Sequence, residues 1–363
     1  MEIVYDRSQL AEFITKATEI NPEHPVLIDR FLDNAIEVDV DALFDGNELY
    51  LAGVMEHIEE AGIHSGDSAC VIPPQSIDEG MLRDIFKATE KLARSIGVLG
   101  LINIQYAIAD NRLYVLEANP RASRTVPFVS KATGVLVAKA AALIAVGKTI
   151  AELRSEGRLP EGTVGTSKGI AVKEAVLPWN RFRRIDGKNV DSVLGPEMKS
   201  TGEVMGIAND FGSAFAKSQI ASFGPLPRSG KIFISLADKD KNQSLESVRA
   251  LYNLGFELYA TEGTGRFLSD HQILSRWVRK HHEGSAGEEK NAVSLIESGE
   301  ISLVINTPFG RDTRQDGWLI RSAAVSRGIS CITTIPGLKA AVSGIKALQG
   351  NHIKVKSLQD WTK

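Results

Sequence analysis

A multidomain α/β and α+β chain, an α+β unit followed by a small parallel α/β domain, is what this sequence of 363 residues predicts, and three patterns carry it. Strand-like runs in the first third alternate polar with apolar residues, the period of an antiparallel sheet with one covered and one wet face. After Gly230, strand-like and helix-like runs take turns, as in a parallel sheet with crossover helices. Between the two, Gly224-Pro225-Leu226-Pro227-Arg228-Ser229-Gly230 brackets a boundary with two glycines and two prolines.

In chain order, Ala35-Ile36-Glu37-Val38-Asp39-Val40-Asp41 alternates acid with aliphatic and reads as a strand with one acidic face. The loop from His57 to Cys70 follows, with two histidines, three acids and two glycines. A helix over Ile77 to Ser95 places Met81, Leu82, Ile85, Phe86 and Leu92 at helical spacing. Leu101 to Ile108 alternates strictly, and Leu113 to Leu116 has the β-branched and aromatic character of its hairpin partner. Two registers are open. A two-residue turn at Asp110-Asn111 sets Gln105 across from Leu116, whereas a three-residue loop through Arg112 sets it across from Glu117. The second is preferred, because it gathers Asn103, Gln105, Glu117 and Asn119 on one face and leaves Ile102, Ile104, Tyr106, Ile108, Tyr114 and Leu116 on the other.

Residues 1–134 make the first unit, and 135–229 a helical and connector region. In the latter fall a helix from about Val135 to Val146, a polar connector from Gly147 to Gly169, a short strand near Val172 and a glycine-punctuated loop from Leu194 to Gly206. Residues 230–363 make the last unit. Its strands are Lys231–Leu236, Phe256–Ala260, Leu303–Asn306 and Ser330–Ile332, and its helices Ser244–Leu254, Trp318–Arg327 and Lys339–Leu348. A pattern that complete predicts a piece that folds when cut before Gly230.

Composition narrows the function. The 42 basic and 45 acidic residues and a pI near 6.2 create no field for nucleic acid or an anionic membrane, so neither is an expected partner. Cys70 and Cys331 lie far apart with no metal-ligand spacing, which suits reduced thiols in the cytoplasm. No apolar run approaches the ~18 residues of a membrane span.

The chemistry concentrates in Leu116-Glu117-Ala118-Asn119-Pro120-Arg121-Ala122-Ser123-Arg124, which ends an apolar strand with a carboxylate, an amide and two guanidiniums. Oxygen ligands two residues apart face one cation, and arginine forks match phosphate geometry, so the stretch suits a magnesium-bound polyphosphate. In the last unit, Thr261-Glu262-Gly263-Thr264 follows a strand and opens a helix whose N–H groups can receive a phosphate. Asn306-Thr307 and Thr333-Thr334 end neighbouring strands.

The run from Glu117 to Gly134, supported by His57 to Cys70, resembles the ATP-grasp signature of the carbamoyl phosphate synthetase large subunit, in its second ATP-grasp half. The stretches Val172–Trp179 and Leu194–Gly206 also resemble that family, and the last unit resembles its closing methylglyoxal-synthase-like regulatory domain. The resemblance implies a partial ATP-grasp fold, a ligase activity that phosphorylates carbamate with ATP and Mg²⁺ or Mn²⁺, and a cytoplasmic enzyme of pyrimidine and arginine synthesis. By it, Gln105, Glu117 and Asn119 bind the divalent metals, and Arg121 and Arg124 hold the transferred phosphate or carbamate. Glu37, Ile63, His64 and Ser65 line the nucleotide with Gln105 and Glu117. Glu37, His57 and Ser68 hold K⁺, at a site where Glu60 replaces the usual Gln. Lys241, Thr261, Thr264, Lys280, Asn306 and Thr307 bind the effector, a nucleotide monophosphate or ornithine.

The family's glycine-rich phosphate loop has no counterpart ahead of Met1-Glu2-Ile3-Val4-Tyr5-Asp6. The resemblance therefore implies a C-terminal piece that works with the remaining N-terminal part of the large subunit and a glutamine amidotransferase small subunit, and is inactive alone. A regulatory module with an inert ATP-grasp remnant, and a ligase for another carboxylate, are the other readings; the block from Lys173 to Gly206 speaks against the second. Methylglyoxal synthase activity finds no catalytic carboxylate set in the last unit.

Overall fold

The computed structural model describes residues 4, 6–20, 25–32, 34–165, 167–181, 190–279, 291–308, 311–350 and 353–362. Seven strands build the first sheet: β1 (Ile36–Phe44), β2 (Leu49–His57), β3 (Cys70–Ile72), β4 (Gly100–Ala109), β5 (Arg112–Asn119), β6 (Ile170–Val176) and β7 (Gly202–Ala208). Every neighbouring pair is antiparallel, in the order β5-β4-β1-β2-β3-β6-β7. After α1 (Arg7–Ile20), the helix α2 (Glu79–Ile96) covers one face. Asp78 caps it by accepting from Met81 N, and Gly97 stops it at φ 75°, a left-handed conformation that costs glycine little. Its buried side, Met81, Ile85, Thr89 and Ala93, packs on Val38, Val40, Ala42, Ile102, Ile104 and Tyr106. Full burial of one such aliphatic side chain stabilises by about 1.5–3 kcal/mol.

The β4–β5 hairpin combines both anticipated registers. Asp110 and Asn111 form the two-residue turn, with φ of 50° and 58° as a type I′ turn demands, yet Gln105 faces Glu117. A β-bulge between Gln105 and Tyr106, opposite Leu116, absorbs the extra residue. The bulge corrects the expected apolar face of β5. Leu113 and Ala118 pack toward the α2 side, Leu116 is exposed, and Tyr114 is not among the residues of that core.

The other face of the sheet lies under α3 (Val126–Thr133), α4 (Val137–Ala145) and α5 (Ile150–Ser155), with Leu43, Tyr50, Met55, Ile72 and Leu101 in that core. α4 is the helix expected near 135–146. The stretch read as connector contains α5, which starts with a capping box between Thr149 and Glu152. β6 and β7 extend the sheet. No single described helix is long and apolar enough to cross a membrane.

The last part begins with α6 (Phe211–Ser222) and continues with β8 (Lys231–Leu236), α7 (Lys241–Asn253), β9 (Glu257–Thr261), α8 (Glu262–Asp270), β10 (Arg276–Val278), α9 (Ala292–Glu297), β11 (Ile301–Thr307), α10 (Arg311–Arg327), β12 (Cys331–Ile332), α11 (Ile335–Gly350) and α12 (Leu358–Thr362). Five parallel strands run in the order β10-β9-β8-β11-β12, so the winding reverses between β8 and β11. The expected elements are present, and β10, α9 and α12 add to them.

Residues 230–363 enclose one core of their own, around Phe233, Val304 and Ile320, and share a second with the part before them. Leu338, Ala341 and Ile345 of α11 share one apolar cluster with Phe215 of α6 and Val172 of β6. A Cβ on Gly212 would lie 2.4 Å from the Ser343 carbonyl oxygen, so only glycine permits this helix contact. At the far end, Trp361 of α12 is buried in the core under the first sheet. A cut before Gly230 separates α6 from α11 and exposes that cluster to water.

Candidate functional site

Strand register arranges the polar side chains in two rows. Asp39, Gln105 and Glu117 are consecutive partners across β1, β4 and β5, and so are Asp41, Asn103 and Asn119. Both rows lie on one face, because their members are two residues apart on each strand. The face is not simply wet. Asp39 and Asp41 are buried, Gln105 and Asn119 half-buried, and Glu117 exposed.

Buried carboxylates need donors or cations. Asp39 Oδ2 lies 3.0 Å from His57 Nε2, and Glu37 Oε2 lies 3.4 Å from His57 Nδ1. Burial alone would lower the imidazole pKa, but the bonds to Asp39 and Glu37 prevail and raise it to about 9. His57 is therefore a cation at neutral pH. Asp41 Oδ1 accepts from Ser123 Oγ at 2.7 Å and Asn103 Nδ2 at 3.0 Å, and its Oδ2 from Thr125 Oγ1 at 2.6 Å. Burial pushes Asp41 up to about 6 against the effect of these bonds.

The loop between β2 and β3 closes over the rows. Gln105 Nε2 donates to Ser65 Oγ at 2.9 Å, Gly62 N to Glu37 Oε1 at 2.9 Å, and His64 N to the Gly195 carbonyl at 2.8 Å. Ile63, His64 and Ser65 are half-buried there, and Ser68 is buried with its hydroxyl toward the Ala69 carbonyl. Lys173, buried on β6, donates to the Ser65 carbonyl at 3.1 Å. Sequence reasoning passed over Lys173, although a lysine in an apolar strand is a signal. Arg121 and Arg124 are exposed beyond β5, with Arg121 Nη1 donating to the Ala122 carbonyl at 3.2 Å and Arg124 touching Met198.

Among the described residues no group of three or more His, Cys, Asp or Glu is placed to hold a metal. The facing pair Gln105 and Glu117, with Asn119 on the same face, offers three hard oxygen donors and one charge. Such a set fits Mg²⁺ or Mn²⁺ if phosphate oxygens and water complete the shell. For K⁺, Glu37 already engages Gly62 and the His57 cation, so an ion there would compete with an imidazolium.

The second candidate site sits where the winding reverses. Thr264 Oγ1 accepts from Leu236 N at 3.0 Å and lies 3.3 Å from Thr261 Oγ1, and Thr307 Oγ1 accepts from Ala237 N at 3.1 Å. Lys241 Nζ pairs with Asp238 at 2.6 Å and donates to the Gly263 carbonyl at 3.0 Å. Five of the six expected effector contacts thus converge on the carboxyl ends of β8, β9 and β11; Lys280 lies outside the described residues. Asn306 Oδ1 accepts from Arg321 Nη1 at 2.6 Å, and the fully buried Arg321 grips Asp191 by two bonds of 2.7 and 2.6 Å. A fork of that kind is strong and directional.

Comparison with known proteins finds two family models along the chain. The family described as "Carbamoyl-phosphate synthase L chain, ATP binding domain" matches residues 1–153, and "MGS-like domain" matches residues 243–333. The chain is 57% identical over 365 residues to the carbamoyl phosphate synthase large chain of Streptomyces griseus, covering 99% of itself and 33% of that protein. It is equally identical over 367 residues to the large chain of Mycobacterium tuberculosis. The chain belongs to the carbamoyl phosphate synthase large-chain family. It spans about a third of the length of the curated relatives it matches. Among solved structures, Rhizobium etli pyruvate carboxylase superposes with a TM-score of 0.47 at 16% identity, over 60% of this chain and 22% of that one.

This carbamoyl phosphate synthase family member has a third feature that its motifs did not announce. A cavity of about 240 Å³ lies between the two sheets, lined by Glu59, Glu174, Trp179, Gln219, Cys331 and Thr334 among others. Glu59 Oε2 accepts from Thr334 Oγ1 at 2.8 Å, and Glu174 Oε2 from Gln219 Nε2 at 2.6 Å. Burial and the charge of Glu59 push Glu174 up to about 8, and burial raises Glu59 as well. Glu59 sits in the motif loop, but its partner Thr334 is 275 residues away.

Proposed function

We propose that this chain carries the metal- and phosphate-binding face and the effector domain of a carbamoyl phosphate synthase, and phosphorylates carbamate with ATP when the preceding part of the large chain completes the nucleotide cleft. The pairing of Gln105 with Glu117 across the bulge, with Asn119 beside them, carries the reading. Phosphoryl transfer asks for positioning and charge neutralisation more than covalent chemistry. A carbamate oxygen attacks the γ-phosphorus in line, its new P–O bond forming as the bond to the ADP oxygen breaks. Arg121 and Arg124 offset the charge on carbamate and the equatorial oxygens. Ser65, held by Gln105 and Lys173, lines the phosphates. Divalent metal on Gln105, Glu117 and Asn119 would neutralise phosphate charge. The reading makes the protein a cytoplasmic ligase served by an ammonia-delivering glutamine amidotransferase subunit.

Two effector chemistries fit two places. The hydroxyls and amide at the ends of β8, β9 and β11, with Lys241 beside them, suit the phosphate of a nucleotide monophosphate. The cavity between the sheets holds two acids forced together, which suits an amine such as ornithine. The test is reconstitution with the preceding portion and measurement of ATP made from carbamoyl phosphate and ADP. Glu117→Gln should cost more than about a hundredfold, since even groups one shell further from a metal cost roughly 10- to 100-fold. Normal synthesis by that variant at limiting Mg²⁺ would remove Glu117 from the metal site.

A further inference from the structure

Arg121 and Arg124 are exposed at the tip of a turn, so their placement depends on what holds that turn to the sheet. Two side chains of the turn do so, and both bind one group. Ser123 Oγ donates to Asp41 Oδ1 at 2.7 Å, and Thr125 Oγ1 to Asp41 Oδ2 at 2.6 Å, so the residues flanking Arg124 on both sides end on the same carboxylate. The third donor, Asn103 Nδ2 at 3.0 Å, comes from the strand position that pairs with Asn119. One buried carboxylate on β1 thereby joins the arginine turn to the row that contains Asn119.

The local geometry shows that the bond to Asp41 takes precedence over helix capping. Thr125 stands at the N-cap of α3, where a threonine hydroxyl ordinarily accepts from the helix's own N–H groups. Here its side chain makes no capping bond and its backbone is already right-handed helical. The hydroxyl turns to Asp41 instead, and the two hydroxyls of Ser123 and Thr125 also lie 2.7 Å apart. Two hydroxyls and an amide N–H directed at one point need a group that only accepts, which an ionised carboxylate is and an amide is not.

We propose that Asp41 is a positioning residue for phosphoryl transfer, fixing the Ser123–Thr125 turn so that Arg121 and Arg124 stand at a set distance from the Gln105, Glu117 and Asn119 donors. The inference rests on the function proposed above. It predicts a loss confined to the chemical step, because an arginine displaced by about 1 Å weakens transition-state charge far more than nucleotide binding.

The test has two arms. In enzyme reconstituted with the preceding portion, Asp41→Asn should lower kcat for ATP synthesis from carbamoyl phosphate and ADP by about ten- to a hundredfold while KM for ADP stays within twofold. Thr125→Val should do the same in part, Thr125→Ser should restore wild-type kcat, and Asp41→Asn with Thr125→Val should lose less than the product of the single losses. In the chain alone, hydrogen exchange of Asp41→Asn should show faster exchange at Val129, whose N–H donates to the Thr125 carbonyl, with protection in β1, β2 and β4 unchanged. Unchanged kcat with unchanged exchange would overturn the proposal, and so would a kcat loss that tracks a general loss of protection or that Thr125→Ser fails to restore. Absence of activity in the wild-type reconstituted enzyme would instead overturn the functional reading, and the exchange arm would still decide whether Asp41 holds the turn.

Discussion

The face formed by β1, β4 and β5 and the crevice between β8 and β11 are both polar sites on a sheet, built with opposite electrostatics. The first concentrates acids: Asp39 and Asp41 are buried, a cationic His57 pairs with one oxygen of Asp39, and hydroxyl and amide donors engage both oxygens of Asp41. In the second, threonines and an asparagine fill the ends of the strands, and the buried Arg321 holds the asparagine. The function proposed above gives the acidic face a metal and the crevice of hydroxyls and backbone N–H groups an anion, with the Arg321 guanidinium matched by Asp191. Sheet type explains the difference. Antiparallel strands present rows of side chains along a face, whereas parallel strands bring ligands to their carboxyl ends, where backbone N–H groups and a helix start already favour negative charge.

The contrast breaks most visibly at Arg321. Replacing it by Met leaves Asp191 and Asn306 without their shared cation, and such losses cost about 3 kcal/mol, the low end of the buried range because Asp191 keeps contact with water. Urea denaturation should register that loss, and phosphate-ligand binding should weaken with it. An unchanged midpoint would mean that the fork is idle.

The acidic face makes a pH prediction. His57 has its folded pKa raised to about 9 from an ordinary 6.5, so its contribution is complete below pH 6.5 and disappears as pH rises through 9. Stability should fall by about 2–3 kcal/mol over that window, and His57→Gln should flatten the slope. An equal slope in the variant would assign the proton elsewhere.

The cavity between the two regions sharpens the comparison further. With Glu174 near 8, pairing with an ammonium requires its proton to leave, so affinity for ornithine should rise about tenfold per pH unit up to 8 and then level. Calorimetry at pH 6.5, 7.5 and 8.5 measures it. A smaller effect belongs to Thr264→Val, which leaves Leu236 N–H unpaired and should cost about 1 kcal/mol in stability.

Much of the first region was legible because its spacing is regular. The period of two put Glu37, Asp39 and Asp41 on one face, and the same period gathered Asn103, Gln105, Glu117 and Asn119. What stayed hidden came from insertions and distance. The bulge opposite Leu116 reconciled a two-residue turn with the functional register, which no alternation pattern expresses. Asp41 read only as one member of an acidic strand face because its partners Ser123 and Thr125 are more than 80 residues away. Arg321 lies inside a helix and Asp191 in a loop, so nothing local joins them to Asn306. The alternation of strands and helices after Gly230 was visible, but the shared core of α6 and α11 was not, since helical spacing shows that a face is apolar and not what covers it.

The most direct measurement is a crystal structure of the chain with ADP and Mn²⁺, collected at the manganese edge. The account predicts an anomalous peak within coordination distance of both Gln105 Oε1 and the Glu117 carboxylate, with the diphosphate between it and the Arg121–Arg124 turn. Bound nucleotide with manganese elsewhere, or with Gln105 and Glu117 pointing away from it, would contradict the account.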